Sequence, residues 1–464
     1  MTVLIFSQSF FLRLHDFLFS NAPNENGCFL LGNSYHRRTG EPVMIATEMI
    51  PPGGDSWNKD GEHMLEPTSS YINNSVVIAD NADTSLIFVH THPGAFHPPS
   101  FSSIDEMSNR RLFRNLSQIL PNRPLGSLVL SRKSVHGVSF EKGKISSISQ
   151  FKFVGRTYSI EQANGSPVVP PDPTFDRQTR AISQGRQALL RNMKIAIVGV
   201  GGTGSAVAVQ LARMGVGSLT LLDRDTIDES NLSRVYGSKK KDVGKPKVGV
   251  LKKYLSTYSK TRVDAIQADI TTQDMTQHLC DSDIIFGCTD NLTSRAVLND
   301  VALQYYTPLI DVGCRIHLKN HESIEQAIAK VQVVTPDTAC LWCTGTLDGA
   351  VIMQEALPEN EKRKLVKEGY YQGIENQPSI ISVTALAASM GVNKLLSLLG
   401  IFGVDYGSRT QLELKNGFMI DDSPEVKTGC ICNKLRGLAE KRRIPLPMLG
   451  VESAPQESAR LLIR

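Results

Sequence analysis

Short apolar runs separated by polar turns fill the first third of the chain. Gly27–Leu31, Val43–Thr47, Leu86–Val89 and Ser127–Leu130 read as strands, and Asp105–Leu120 as a helix. The opening run MTVLIFSQSFFLRLHDFLF is apolar, yet Arg13, His15 and Asp16 interrupt it, and neither a basic leader nor a small-residue cleavage site flanks it. It predicts a strand and a helix of a first, α+β unit over 1–158 rather than a secretion signal. From Phe175 onward strands alternate with helical periods: Ile195–Val198, Ser218–Leu222, Val263–Gln267, Ile284–Cys288 and Leu309–Val312. That rhythm predicts a doubly wound, Rossmann-like α/β sheet over 175–440, followed by a tail over 441–464. Four prolines within Asn164–Pro173 predict a semi-stiff spacer, placed at 159–174. Glu355–Gly373 is polar and predicts a mobile crossing segment. Ser379–Val404 carries Lys394 as its one charge and is long enough to span a bilayer. Its Ser, Thr, Asn and Gly residues predict instead a helix buried in protein or at a dimer interface.

Composition narrows the classes. A chain of 464 residues exceeds the usual single domain. A net charge of +4 is too small to argue for nucleic acid, and the basic stretch Lys434–Arg443 reads as a solvated surface. Eight cysteines in so long a chain are no disulfide framework, and four of them fall in close pairs. This predicts metal binding in a reducing compartment, hence the cytoplasm, with neither membrane nor nucleic acid as partner.

In the first unit, His90 and His92 stand two apart at a strand end, so both rings share one face. Ser102 and Asp105 open the following helix. Two His and one Asp, with a fourth position left to water, form the ligand set of a catalytic zinc, although a Ser-x-x-Asp start is also a helix cap. Together these residues resemble the JAB/JAMM (MPN-type) metallopeptidases, whose signature is His-x-His followed by Ser-x-x-Asp. Here the spacer, Pro93 to Phe101, is two residues longer than the usual form, with His97 and Ser100 as rival polar groups. Pro23–Gly32 matches the family's upstream segment, with Glu25 in the place of its glutamate. The resemblance implies Zn²⁺ on His90, His92 and Asp105, Glu25 as general base and Ser102 steadying the oxyanion. It also implies cleavage after the C-terminal Gly-Gly of ubiquitin-like proteins.

In the second unit, an apolar strand turns through Gly199, Gly201, Gly202 and Gly204 into an amphipathic helix, and a second strand ends at Asp223. Glycines that let backbone approach phosphates, with a carboxylate for ribose, make a nucleotide site. Asp225, Ser230, Asn231, Arg234, Lys247, Asp290 and Asn291 follow in order. A hydride-transfer enzyme has no use for them, whereas an enzyme that grips a triphosphate does. This set resembles the ThiF/MoeB/ubiquitin-activating adenylyltransferases. The resemblance implies ATP, with Asn231, Arg234 and Lys247 balancing its charge and Asp290 binding Mg²⁺. It further implies that Arg177 reaches the γ-phosphate of a partner subunit, hence a homodimer.

Cys340 and Cys343, with Cys430 and Cys432, correspond to that family's structural zinc pairs, the second being shorter than Cys-x-x-Cys. Between Thr344 and Gly429 no cysteine is available to carry a thioester, so the enzyme is expected to stop at the adenylate or pass the acyl group on directly. Cys314 is the one free thiol that merits a test, and Ser379 and Ser382 are weaker acceptors. The combined expectation is ATP-dependent adenylation of the terminal glycine of a ubiquitin-like β-grasp protein, coupled to a peptidase that matures or removes it, with a conjugating enzyme as a candidate partner. Two alternatives stand beside it. One is a sulfur-carrier adenylyltransferase for cofactor biosynthesis. The other is a non-catalytic modifier-binding protein with a degenerate peptidase domain.

Overall fold

A computed structural model describes residues 2–59, 61, 65–95, 99–163, 170, 172–272, 275–319, 323–367, 378–402 and 407–441. Residues 164–169 and 171 of the expected spacer, His97, the end of the crossing segment and all but the first residue of the tail lie outside these residues.

The first sheet is built from β1 (Thr2–Ser7), β2 (Gly27–His36), β3 (Pro42–Ile50), β6 (Ser85–Thr91), β7 (Leu125–Leu130), β8 (Val135–Glu141), β9 (Lys144–Val154) and β10 (Tyr158–Gln162). Its order is β1-β3-β2-β6-β7-β8-β9-β10, and β1 also pairs with β9, closing the order on itself. A small hairpin, β4 (Trp57–Lys59) with β5 (Glu66–Pro67), lies apart. The apolar opening run folds as β1 and the helix Gln8–Phe19. Because β10 pairs antiparallel with β9, this sheet reaches Gln162, past the boundary expected at 158.

The second sheet joins β11 (Lys194–Val198), β12 (Ser218–Leu222), β13 (Arg262–Ile266), β14 (Ile284–Gly287), β15 (Leu309–Lys319), β16 (Ser323–Val334), β17 (Arg409–Glu413) and β18 (Phe418–Asp422). Its order is β13-β12-β11-β14-β15-β16-β17-β18. From β13 to β15 the pairings are parallel, as the strand–helix alternation predicts, and from β15 to β18 they are antiparallel. The order reverses between β11 and β14, and at such a switch point open α/β sheets leave a crevice for ligands. The apolar helix Ile381–Leu398 meets the length and composition expected of a membrane span, but 56% of it is buried. It packs on β15, β16 and the helix Gly202–Arg213, with Gly391 against Val312.

Strands β1 and β3 are apolar on both faces, and each face has its own partner. Leu4, Phe6, Met44 and Ala46 pack under the helix Gln8–Phe19. Val3, Ile5, Val43 and Ile45 point the other way and share one core with Leu190, Met193, Ile195 and Tyr306 of the second unit. The two units are therefore packed together, where the proline-rich spacer alone predicted a tether. Polar bonds fix the seam. Lys152 Nζ lies 2.5 Å from Asp283 Oδ1, both residues being buried, and the Lys194 amide donates to Asp283 Oδ2 at 2.9 Å. Ser9 Oγ donates to Asp337 at 2.6 Å, and Asn33 Nδ2 donates to the Gly437 carbonyl at 2.7 Å. Lys194 and Asp283 stand at the N-terminal ends of β11 and β14, so the first unit docks at that end of the second sheet.

Candidate functional sites

The first site forms where β6 ends. His90 pairs across the ladder with Gly27, and the His92 amide donates to the Leu130 carbonyl at 2.8 Å, which carries the strand direction one residue beyond β6. Asp105 is in the first turn of the helix Ser103–Ile119. There the Ser102 hydroxyl accepts from the Asp105 amide at 3.1 Å, and the Asp105 carboxylate accepts from the Ser102 amide at 2.7 Å. The helix cap and the ligand set are thus the same residues: the reciprocal cap orients Asp105 toward the histidines. His90 Nε2 lies 3.5 Å from Asp105 Oδ1, His92 Nε2 lies 3.6 Å from Asp105 Oδ2, and Glu25 Oε1 lies 3.6 Å from His92 Nε2.

These separations are long for hydrogen bonds but close to the edge of a zinc tetrahedron, roughly 3.4 Å for N and O ligands about 2.0–2.1 Å from the metal. Both ring nitrogens of His90 are buried without a hydrogen-bond partner, a cost that an ion would remove. The donor set His90, His92 and Asp105 therefore fits zinc. Burial works against charge on Asp105, but the His90 ring and the Ser102 hydroxyl and amide outweigh it and hold its carboxyl well below the usual range. Phe88 stacks on His90 at 5.7 Å, and Phe101 lies between His90 and His136 at 6.0 and 5.6 Å. The sequence reading had no role for these aromatic walls.

Close packing builds the second site. Gly199 has φ +87°, and a Cβ there would lie 2.6 Å from the Cys288 carbonyl oxygen. A Cβ on Gly204 would lie 1.8 Å from the Gly199 carbonyl oxygen, so only glycine lets the helix start this close to its strand. Gly201 caps the helix Gly202–Arg213 with no side-chain bond, which leaves its N-terminal amides to an anion. Asp223 is buried and accepts from the Val200 amide at 2.5 Å and the Asp225 amide at 2.8 Å. It braces the loop while keeping lone pairs for a ribose, and burial raises its pKa. Arg234 lies against Gly202 and donates to the Ser230 carbonyl at 2.6 Å. A bridge from Thr226 to Pro246 brings Lys247 beside the strand end, where its Nζ lies 2.8 Å from Asp225. Asp290 follows β14, whose register with β11 sets it next to the loop.

Three expected ligands also make local contacts here. Asn291 caps the helix Leu292–Tyr305, accepting from the Ser294 amide at 2.7 Å. Asn231 closes a short 3₁₀ turn in a reciprocal cap with Asp228, and Asp225 holds Lys247. Arg177 is not brought to the loop at all. Its neighbour Gln178 donates to the Met214 carbonyl at 2.9 Å, at the far end of the helix Gly202–Arg213, about 18 Å away for twelve residues. Cys314 lies within β15 in hydrogen-bond contact with Thr203, and burial raises its pKa.

The third cluster is closed. Cys340 and Cys343 are 3.6 Å apart at sulfur, and each lies 3.7 Å from one thiol of the second pair, Cys430 and Cys432 respectively. A zinc tetrahedron with about 2.3 Å bonds has edges of roughly 3.8 Å, so the four thiols fit it and the short second pair is no obstacle. Burial opposes ionisation of Cys343, yet the Lys427 amide, which donates to its sulfur at 3.4 Å, and hydrogen bonding from Cys340 and Cys430 draw its thiol down to about 7.

A family model described as the ThiF family matches residues 175–430. The chain belongs to the ThiF family. Among curated proteins, it is 39% identical over 127 residues to the adenylyltransferase and sulfurtransferase uba4 of Neosartorya fischeri, covering 27% of this chain and 24% of that protein. It is 33% identical over 146 residues to the sulfur carrier protein ThiS adenylyltransferase of Escherichia coli, covering 30% and 58%. It is 28% identical over 229 residues to ubiquitin-like modifier-activating enzyme 5 of Dictyostelium discoideum, covering 46% and 54%. The chain thus spans about a quarter of the length of the first of these relatives. A solved structure of E. coli MccB with MccA-N7isoASN aligns with a TM-score of 0.45 at 20% identity, covering 56% of this chain and 74% of that one. The ThiF match begins at Phe175, so the first sheet and its His–His–Asp cluster lie outside it and stand on geometry alone.

Proposed function

We propose that this ThiF-family chain adenylates the C-terminal glycine of a ubiquitin-like protein and carries a docked zinc peptidase that matures or removes the same modifier. The adenylyltransferase half is supported by the family match together with Asp223 on the Val200 amide of the glycine loop, Arg234 against Gly202 and Lys247 beside Asp225. ATP with Mg²⁺ suits that loop. The carboxylate of the modifier attacks the α-phosphate, forming an acyl-adenylate and releasing pyrophosphate. Arg234, Lys247 and the helix amides neutralise the phosphates and hold them in line, so positioning and charge do most of the work. Arg177, about one helix length from its own loop, is the residue a second copy would lend, and a homodimer follows from it.

The peptidase half rests on one observation: Glu25 lies 3.6 Å from a His–His–Asp set with zinc spacing. Bound zinc would supply Lewis acidity. Glu25 takes the proton of an attacking water, and Ser102, at the mouth of the site, retains its hydroxyl proton for the oxyanion. The docking seam lies at the N-terminal ends of β11 and β14, and the nucleotide loop at their C-terminal ends, about 15 Å away. The protein works in the cytoplasm, and a conjugating enzyme receives the activated modifier.

ATP–pyrophosphate exchange against a panel of β-grasp proteins ending in Gly-Gly tests the first half. Cleavage of Gly-Gly fusions by wild type and by Glu25→Gln tests the second. Exchange with none of the panel, or equal cleavage by both proteins, rules out the corresponding half. The names of the uba4 and ThiS-adenylyltransferase relatives favour a second reading, activation of a sulfur carrier, which would show as a gain of one sulfur in the carrier's mass.

A further inference from the structure

We infer that Thr91, the middle residue of the His-Thr-His run, is a positioning residue that sets the general base Glu25 against the metal cluster; this rests on the peptidase reading. Along a strand, side chains alternate, so Thr91 points away from the face that His90 and His92 share. Its side chain is fully buried, which makes an unused hydroxyl there costly. The hydroxyl is used on one target, the backbone of Asn26, next to Glu25. Thr91 Oγ1 accepts from the Asn26 amide at 2.9 Å and donates to the Asn26 carbonyl at 3.3 Å. The Thr91 amide donates to that same carbonyl at 2.9 Å.

Asn26 adds two bonds of its own. Its Nδ2 donates to the Phe17 carbonyl at 3.0 Å, and its Oδ1 accepts from the Gly27 amide at 2.9 Å. The regular β2–β6 ladder ends at the Gly27–His90 pair. Beyond that pair the Thr91 hydroxyl takes over, holding the segment that carries Glu25 to the strand that carries both histidines. Without it, the Asn26 amide loses its partner, and the Thr91 amide bond to the Asn26 carbonyl is left to hold the segment by itself. Glu25 itself is anchored on its other side by its amide, which donates to the Gly61 carbonyl at 2.9 Å. A general base tolerates little displacement, because misplacement by about 1 Å can cost on the order of 100-fold in rate.

The experiment compares full-length, zinc-loaded wild type with Thr91→Val, which keeps the shape and loses the hydroxyl, and Thr91→Ser, which keeps the hydroxyl. Three quantities are read: kcat and KM on a β-grasp–Gly-Gly–reporter fusion, zinc per chain, and amide hydrogen exchange of a peptide spanning residues 24–28. Thr91→Val is expected to lower kcat roughly 10- to 100-fold at unchanged KM and zinc content. Exchange of that peptide should be faster, and Thr91→Ser should restore both. Should Thr91→Val not fold, Asn26→Ala, which removes the half-buried arm of the same staple, is expected to give the same loss confined to kcat. Unchanged kcat and unchanged exchange in Thr91→Val would overturn the inference, as would loss of zinc, since the residue would then be supporting the metal. A wild type that cleaves no fusion sinks the peptidase reading instead, and the exchange measurement still decides whether the hydroxyl fixes the Glu25 segment.

Discussion

The two metal-type clusters of this chain differ in the one respect that separates chemistry from scaffolding. The cysteine cluster supplies four thiols, three of them buried, and so leaves no position for a substrate. The histidine cluster supplies three ligands, with His92 and Asp105 partly open to solvent and an acid alongside that is no part of the set. On the proposed reading, ligand number and access, rather than ligand identity, suit the first to folding and the second to turnover.

The largest test of that contrast is Cys340→Ser. Structural zinc contributes to folding outright, at about 10 kcal/mol or more in small domains, so this variant should lose zinc and many degrees of melting temperature. His92→Ala should abolish cleavage while melting close to wild type, and equal melting losses in the two variants would erase the distinction. Next in size, Glu25→Gln should cut cleavage by roughly 10²–10⁴ with zinc retained, as expected for a general base. A variant that loses metal as well would make Glu25 a ligand.

The seam offers a test of whether the two units are independent. Lys152→Met leaves Asp283 buried without its cation and should cost about 3–5 kcal/mol in one cooperative melt, whereas Lys152→Met with Asp283→Leu should recover most of it. Two separate melting transitions would mean that the units fold apart. The smallest expected effect belongs to Asn291→Ala, about 1 kcal/mol of stability for a lost helix cap, with ATP affinity unchanged. Weakened ATP binding would show that Asn291 serves the nucleotide site as well as the cap.

Spacing carried most of what was readable beforehand. His90, His92 and Asp105 stood out by their spacing, Asp223 because it follows a strand end, and Arg234 and Lys247 by the resemblance of their ordered motifs to the ThiF-type enzymes. The seam was not. Strand β1 reads as one apolar run, and nothing in such a run says that Val3 and Ile5 face a different partner from Leu4 and Phe6. The length of β15 was also hidden, since Gly313, Cys314 and Arg315 break the apolar pattern after Val312. Asn231 and Asn291 were placed at the nucleotide by the motifs that resemble the ThiF-type enzymes, and their part in a turn and a helix cap was not legible there. Thr91 gave no signal, because the work of its hydroxyl depends on a segment more than sixty residues away.

The shared core has a practical corollary for anyone dissecting this protein. Cutting the gene after residue 163 would strip cover from Leu190, Met193 and Tyr306 on one fragment and from Val3, Ile5, Val43 and Ile45 on the other. Each piece would present a bare greasy strip to solvent and should self-associate, so silencing one activity calls for point substitutions in the intact polypeptide.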